Sequence, residues 1–161
     1  MTRRHRTSSA FTLLELVLVL VIIATALAMA APSLRGWSRS SRLRDAGNQF
    51  LAVARWARAQ AVANSQVYRL NVDQNTGRYW VTVQEGAEFL PTGSDFGQVF
   101  SVPSGFGIAM GDAQSQAGAG VVDFFPTGRT QPATVRITSD DGYVIDIVCP
   151  SPAEGFALAQ S

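Results

Sequence analysis

The carboxylate of Glu15 is the most unusual chemical group in this sequence, because it stands in an otherwise apolar run. Between Phe11 and Ala31 only Thr12, Glu15 and Thr25 are not apolar. An ionised carboxylate in such surroundings costs about 3 kcal/mol on membrane-insertion scales. Glu15 is therefore either an incidental polar residue at a membrane edge or a group with a specific partner.

The residues that usually carry catalysis or bind metals are scarce. His5 is the sole histidine, and it lies in the basic N-terminal segment, so a chain that loses this segment has no histidine for a triad, for acid–base work or for a metal. Cys149, the single cysteine, reads as a small buried residue of a strand. The residues Asp73, Asn75 and Gly77 resemble the start of a calcium loop but lack its distal glutamate. The sequence predicts no enzyme, no metal site and no cofactor.

The N-terminus combines a basic segment with a long apolar one. Residues 1–10 hold three arginines and no acid, and the apolar run that follows is long enough as a helix to span about 30 Å. Positive residues on this flank hold it in the cytoplasm and send the rest of the chain across. Two alternatives are a secretory signal peptide cut near Ala28 or Ala30, and a plain membrane anchor, which leaves Glu15 without a role.

The stretch "SSAFTLLELVLVLVIIA" resembles the prepilin signature of type IV pilins and type II secretion pseudopilins. The resemblance implies that a prepilin peptidase cleaves between Ala10 and Phe11, and that the new amino group of Phe11 is N-methylated. Ala10 replaces the glycine that is usual before the cut. The resemblance also implies that Glu15 neutralises this ammonium and so sets the assembly register, and that Pro32 kinks the helix.

Helical periodicity continues beyond Pro32 and then gives way to short alternating runs. Apolar or small residues recur in steps of three or four, with Arg44 and Arg55 on the opposite side. The stripe consists of Leu43, Ala46, Gly47, Phe50, Ala54, Ala57 and Ala61. Hairpins are predicted around residues 75–77 and 140–142. One or two weak strands and an exposed, mobile loop are expected between them, the loop at residues 111–120.

These patterns predict an α+β fold, in which a long N-terminal helix packs on an antiparallel β-sheet head. The helix has a transmembrane half and an amphipathic half. The expected organisation is a leader (1–10), a transmembrane or filament-core half (11–32), an amphipathic half (33–64) and a β-rich periplasmic head (65–161).

Charge is divided unevenly along the chain. Residues 35–58 carry a net charge of +5, whereas residues 59–161 carry −6. Arg55 and Arg58 are candidates for contacts with acidic surfaces of partner subunits, and a solvated face near anionic lipid is the alternative. The acidic head disfavours nucleic acid, which needs clustered cations.

The segment "FFPTGR" at residues 124–129 and the Ala/Arg-rich helix before the first strand resemble the H-type minor pseudopilin of type II secretion and related minor pilins. The resemblance implies a non-enzymatic subunit of the periplasmic pseudopilus, anchored once in the bacterial inner membrane with its N-terminus cytoplasmic. The implied partners are other pilin-like subunits and exported proteins. Two alternatives are a minor type IV pilin, for pilus assembly or DNA uptake, and a soluble exported binding protein.

Overall fold

The computed structural model describes residues 12–111, 115–116 and 118–159, with side-chain environments for all of these except 29–39 and 115–116. The chain divides into two compact units between Arg39 and Ser40, and each unit is described by itself. The helix α1 (Leu13–Asn64) contributes to both.

The first unit contains the apolar part of α1, which begins with a capped turn. The carbonyl of Thr12 accepts the N–H of Leu16 at 3.2 Å, and the Thr12 hydroxyl oxygen accepts the N–H of Glu15, also at 3.2 Å. Thr12 is therefore the N-cap: its carbonyl accepts the first helical hydrogen bond, and its hydroxyl satisfies the N–H of Glu15, which the helix itself leaves unpaired.

Thr25, the other polar residue of this part, directs its hydroxyl at the helix backbone. It lies 3.0 Å from the carbonyl of Val21 and 2.9 Å from that of Ile22, so its donor is satisfied within the helix. Over the described side chains, no helical stretch is both long and apolar enough to cross a membrane. The helix continues through Pro32, and the kink expected there stays a prediction.

The second unit contains the remainder of α1, whose buried face matches the predicted stripe. Every position of that stripe is buried, while Arg44 and Arg55 are exposed. Leu51 and Val53 are buried as well, so the apolar face is wider than the stripe.

The helix ends at a residue in the left-handed conformation. Ser65 has φ 54°, and the N–H of Gln66 donates to the carbonyl of Ala61 at 3.3 Å. This six-to-one bond is the one that defines a Schellman motif, with Ser65 in the place usually taken by glycine. It turns the chain from α1 into the first strand.

Ten strands are found within the described residues, and they form two antiparallel sheets. The strands are β1 (Tyr68–Asp73), β2 (Arg78–Glu85), β3 (Glu88–Pro91), β4 (Phe100–Ser101), β5 (Phe106–Met110), β6 (Ser115–Gln116), β7 (Ala119–Phe124), β8 (Ala133–Ser139), β9 (Val144–Cys149) and β10 (Ala157–Leu158). The larger sheet has the order β3-β2-β1-β7-β6 with β4 beside β2, and the smaller has the order β10-β9-β8-β5. A 3₁₀ turn, Asp95–Gly97, precedes β4.

Both predicted hairpins are confirmed. β1 pairs with β2 through a turn in which Gly77 has φ 67°, and β8 pairs with β9 through a turn in which Gly142 has φ 86°. Positive φ is the reason that glycine is needed at each turn.

The strand content between the two hairpins exceeds the prediction. Four short strands, β3 to β6, take the place of the one or two that the sequence predicts. The loop expected at residues 111–120 is also partly wrong, because Ala119 and Gly120 already belong to β7 and Ser115–Gln116 pairs with them as β6. This segment pairs with a neighbouring strand although its glycine and serine content is typical of a loop.

One hydrophobic core joins α1 to both sheets. The Phe50 ring lies 5.2 Å from the ring of Tyr79 in β2 and 6.3 Å from that of Phe156, which precedes β10. Gly47 lies against Ile145 of β9, where an added Cβ would be 3.2 Å from the Ile145 side chain. The predicted fold class, one long helix packed on antiparallel sheets, is confirmed.

Candidate assembly surfaces

Glu15 lies in the first turn of α1 with its side chain exposed. Its backbone N–H is capped by Thr12, and no described residue pairs with its carboxylate. The predicted cleavage residues Ala10 and Phe11 lie outside the described residues. The structure thus places a negative charge at the positive end of the helix dipole, where a carboxylate is stabilised.

An exposed apolar band surrounds Glu15. From Leu13 to Leu27 the large aliphatic side chains are between 42% and 81% exposed. A soluble monomer rarely leaves so continuous an apolar surface uncovered, because each buried side chain would contribute about 1.5–3 kcal/mol. The band is therefore a surface for lipid or for other apolar helices.

The two candidate contact arginines on α1 have different surroundings. Arg58 is half-buried, and its guanidinium donates from Nε to the carbonyl of Gly128 at 2.8 Å and from Nη2 to the carbonyl of Ala153 at 3.0 Å. Arg58 therefore fixes two loops to the helix. Arg55, one turn earlier, is exposed and makes no hydrogen bond or ion pair with a described residue.

A groove of about 730 Å³ runs along α1 beside these arginines. Its floor contains the buried Ala54, Phe124 and Phe156, and Val62 lies on its rim at 51% exposure. The remaining lining residues are Arg55, Arg58, Ala59, Ala63 and Gly155. We call this the Arg55 groove. Its volume falls within the range of ligand pockets, and its lining is apolar apart from two cations.

Two aspartates of the head form ion pairs with arginines on neighbouring strands. Arg69 donates to both carboxylate oxygens of Asp123 at 2.7 and 2.9 Å and lies 3.7 Å from the ring centroid of Phe89. Arg136 makes the same bidentate contact with Asp146. The hydrogen bonds from Arg136 lower the pKa of Asp146. These groups reinforce strand pairing, so they are not free for a partner.

The residues that resemble the start of a calcium loop form hydrogen bonds within the β1–β2 turn. The Asp73 carboxylate accepts the N–H groups of Asn75 and Thr76 and the Thr76 hydroxyl, and the last of these bonds is the main cause of the lowered pKa of Asp73. Across the residues with described side chains, no group of three or more His, Cys, Asp or Glu could hold a metal ion.

Cys149 is buried at the end of β9. Its thiol lies 3.4 Å from the carbonyl of Ser151 and 3.5 Å from that of Glu154, and burial raises its pKa. A protonated buried thiol of this kind is a packing group, as the sequence predicts.

Two important residues escaped the sequence analysis. Thr12 caps α1, and the T-x-x-E spacing from Thr12 to Glu15 is the capping-box signal that could have identified it. Phe156 contacts both Phe50 and Phe124 from a segment rich in proline, serine and glycine. No local pattern around Phe156 distinguishes it from a loop residue.

The fold is similar to that of solved pilin-like subunits. The minor pseudopilin EpsH from the type 2 secretion system of Vibrio cholerae gives a TM-score of 0.62 at 10% identity over 73% of this chain and 96% of EpsH, and a second EpsH structure gives 0.60. The type IV minor pilin FimU of Pseudomonas aeruginosa gives 0.58 at 11% identity over 77% of this chain and 92% of FimU. These likenesses define a pilin-like fold. No curated protein is similar enough in sequence to count as a relative.

Matches to sequence profiles of known families identify the family of this chain. The profile described as type II transport protein GspH matches residues 46–149, and that of the prokaryotic N-terminal methylation motif matches residues 5–31. The chain belongs to the GspH family, and the resemblance to prepilins and H-type pseudopilins is confirmed. The family is one of structural subunits, so other pseudopilin or pilin subunits are its partners, and the motif implies membrane-anchored assembly.

Proposed function

We propose that this chain is a minor pseudopilin, a non-enzymatic subunit of the pseudopilus that drives type II secretion. The observation that carries the proposal is the GspH match over residues 46–149, which covers α1 from Ala46 through β9. The fold agrees with it, since EpsH, the V. cholerae protein of similar fold, is a minor pseudopilin.

Glu15 acts in assembly rather than in catalysis. A prepilin peptidase cleaves between Ala10 and Phe11, and the methylated ammonium of Phe11 pairs with Glu15 of its own chain or of the neighbour just added. The pairing makes a carboxylate tolerable among apolar helices, and loss of one partner leaves an unpaired buried charge. The exposed band from Leu13 to Leu27 supports this role, because it gives Glu15 an apolar setting once covered.

The expected topology is a single inner-membrane pass with a cytoplasmic N-terminus and a periplasmic head. The leader (1–10) is removed, residues 11–32 form the membrane or filament-core half with its kink at Pro32, residues 33–64 form the amphipathic half, and residues 65–161 form the head. Exported proteins are candidate contacts of the assembled head. The acidic head favours protein partners over nucleic acid.

Mass spectrometry of the membrane-extracted chain tests the processing step. We expect a mature N-terminus at Phe11 that carries one added methyl group. A mature N-terminus near Met29 or Ser33 would contradict the proposal and establish the signal-peptide alternative, in which the chain is a soluble exported binding protein. A companion deletion strain should lose export of its secreted proteins and regain it with the intact gene.

A minor type IV pilin is the second candidate, favoured by the likeness to FimU at a TM-score of 0.58. The two functions differ in what the deletion abolishes. Loss of secretion with normal surface pili supports the pseudopilin, whereas loss of pili with normal secretion supports the minor pilin.

A further inference from the structure

The guanidinium of Arg58 keeps unused hydrogen-bond donors at the Arg55 groove. Its Nε and Nη2 atoms donate to the carbonyls of Gly128 and Ala153, whereas Nη1 donates to no acceptor within the described residues. The side chain is half-buried and belongs to the lining of the groove. A cation that is held in place by two neutral carbonyls and still has free N–H groups is suited to bind an anion.

The glycine at position 155 leaves the space beside this nitrogen open. A Cβ added to Gly155 would lie 2.8 Å from Nη1 of Arg58, a distance typical of the bond between an arginine and a carboxylate oxygen. Apart from residue 155 and its chain neighbours, Arg58 is the only described residue within 4 Å of that position. The groove therefore has room for an acceptor oxygen at hydrogen-bond distance from a cation.

The charge of the occupant follows from the cations of the groove. Arg55 precedes Arg58 by three residues, so the two side chains are neighbours on α1, and Arg55 has no partner among the described residues. None of the described lining residues is acidic. Glu154 accepts the Ser151 hydroxyl at 2.8 Å and makes no ion pair with Arg58. The charge complement of the groove is therefore a carboxylate from another molecule.

The rest of the groove is apolar and open to the surface. The rings of Phe124 and Phe156 lie 6.3 Å apart in its floor, Ala59 and Ala63 are exposed small residues of α1, and Val62 is half exposed on the rim. Aromatic residues and arginine are enriched where proteins bind one another, whereas nucleic acid requires a larger cluster of cations. The occupant is therefore a protein segment with apolar side chains beside its carboxylate.

We infer that the Arg55 groove binds a carboxylate of a different pilin-like subunit. The carboxylate lies between Arg55 and Nη1 of Arg58, and the apolar side chains next to it cover Phe124 and Phe156. Arg58 then has two roles, since Nε and Nη2 hold two loops of its own chain while Nη1 binds the partner. The inference rests on the proposed function, because a minor subunit has subunits of other kinds as neighbours.

Photocrosslinking from the groove in the native host tests this contact. The full-length chain carries the photoreactive residue p-benzoylphenylalanine in place of Ala59, and mass spectrometry identifies the peptide that it captures. We expect a peptide of a different pilin-like subunit that has an aspartate or glutamate next to apolar residues. The matched control carries the same probe in place of Ser104, an exposed turn position elsewhere on the head, and should not capture this peptide.

Charge reversal tests the ionic part of the contact. Arg55→Asp should reduce the crosslink about tenfold, and arginine in place of the captured carboxylate should restore it, because the two charges are then opposite again. Arg44→Asp, which changes an exposed arginine of α1 outside the groove, is the matched control and should leave the yield unchanged. A yield that ignores Arg55→Asp, or that falls equally with Arg44→Asp, would overturn the contact.

Gly155→Ala tests the role of Nη1. Its Cβ takes the position of the acceptor oxygen, so this variant should also reduce the crosslink about tenfold. Thermal unfolding of the same chain reports whether the head stays folded. An undiminished crosslink from a folded Gly155→Ala chain would overturn the binding role of Nη1, and if this chain does not fold, Arg55→Asp decides the question, because Arg55 makes no bond within the described head.

The identity of the captured molecule decides the partner. Capture of only a second copy of this chain, an exported protein or lipid would overturn the assignment to a different subunit. If secretion requires this chain but the probe at position 59 captures nothing, the groove contact alone is refuted. Secretion that continues after deletion of the gene contradicts the proposed function, whatever the probe captures.

Discussion

Single polar residues in the apolar part of α1 each have a distinct physical role. Thr12 caps the helix, and Thr25 returns its hydroxyl to the carbonyls of Val21 and Ile22. Glu15 alone has no side-chain partner among the described residues. The described part of the chain thus leaves this carboxylate available for the assembly contact that we propose.

Glu15→Gln should leave the head folded and abolish most assembly. The substitution keeps the size of the side chain and removes its charge, so the ammonium of Phe11 loses its partner while membrane insertion becomes easier. The fraction of chain in the filament fraction and the yield of exported protein measure the effect. Glu88→Gln, an exposed glutamate on β3, is the matched control and should behave as the wild type. Normal assembly of the Glu15 variant would refute the register role.

Arg58 is expected to contribute to stability and Arg55 is not. Arg58→Met removes the bonds to Gly128 and Ala153 but keeps most of the aliphatic stem, and we expect a loss of about 2 kcal/mol in the free energy of unfolding. Arg55→Met should change it by less than about 0.5 kcal/mol. Thermal unfolding of the full chain, followed by tryptophan fluorescence, compares the two. Equal changes in the free energy of unfolding would show that the hydrogen bonds from Arg58 to the two loops do not stabilise the head.

At the scale of elements, sequence periodicity predicts α1 and the hairpins well because their signals are local. The stripe from Leu43 to Ala61 repeats at helical spacing, and glycine marks both turns. The division into two sheets has no local signal, since it depends on which strands become neighbours. β5 pairs with β8 across a separation of about thirty residues, and β6 is only two residues long.

The same distinction separates the parts of the candidate sites that could be predicted. Glu15 is evident because a charge interrupts an apolar run. The Arg55 groove is not evident, since Phe124, Phe156 and α1 meet only in the folded head. Arg58 is one of several arginines on α1 until the loops that accept its hydrogen bonds are in place.

A substitution at Gly120 tests how closely the two sheets approach each other. A Cβ at this position would clash with the Met110 side chain, which extends from β5 of the smaller sheet onto β7 of the larger. Gly120→Ala should therefore destabilise the head by about 1–3 kcal/mol, and Met110→Ala in the same chain should reduce the penalty of the glycine substitution.

The matched control for this pair is Gly107→Ala. An added Cβ there meets nothing within 4 Å, so the variant should equal or slightly exceed the wild type in stability. Thermal unfolding of the wild type, Gly120→Ala, Met110→Ala and the double variant gives the coupling between Gly120 and Met110. Purely additive effects would show that the close approach of the sheets does not depend on this glycine.

The exposed apolar band and the hydrophobic core lie in different parts of the chain. The exposed apolar band lies before residue 28, whereas every buried core residue among the described side chains lies at or after Leu43. The division between Arg39 and Ser40 falls between these regions. Among the described side chains, the first unit exposes its large apolar residues, whereas the second unit has the hydrophobic contacts to fold on its own.

A chain that begins at Ser40 should therefore be soluble and folded. It retains the full buried stripe of α1 and discards the apolar band, so we expect helix and strand signals in circular dichroism and one cooperative thermal transition. A chain that begins at Asn48 is the matched comparison, because it lacks Leu43, Ala46 and Gly47 and should lose about 3 kcal/mol or more of stability. If the Ser40 chain is insoluble or lacks strand signal, the head depends on the membrane half; if both chains are equally stable, the first turns of the stripe do not support the sheets.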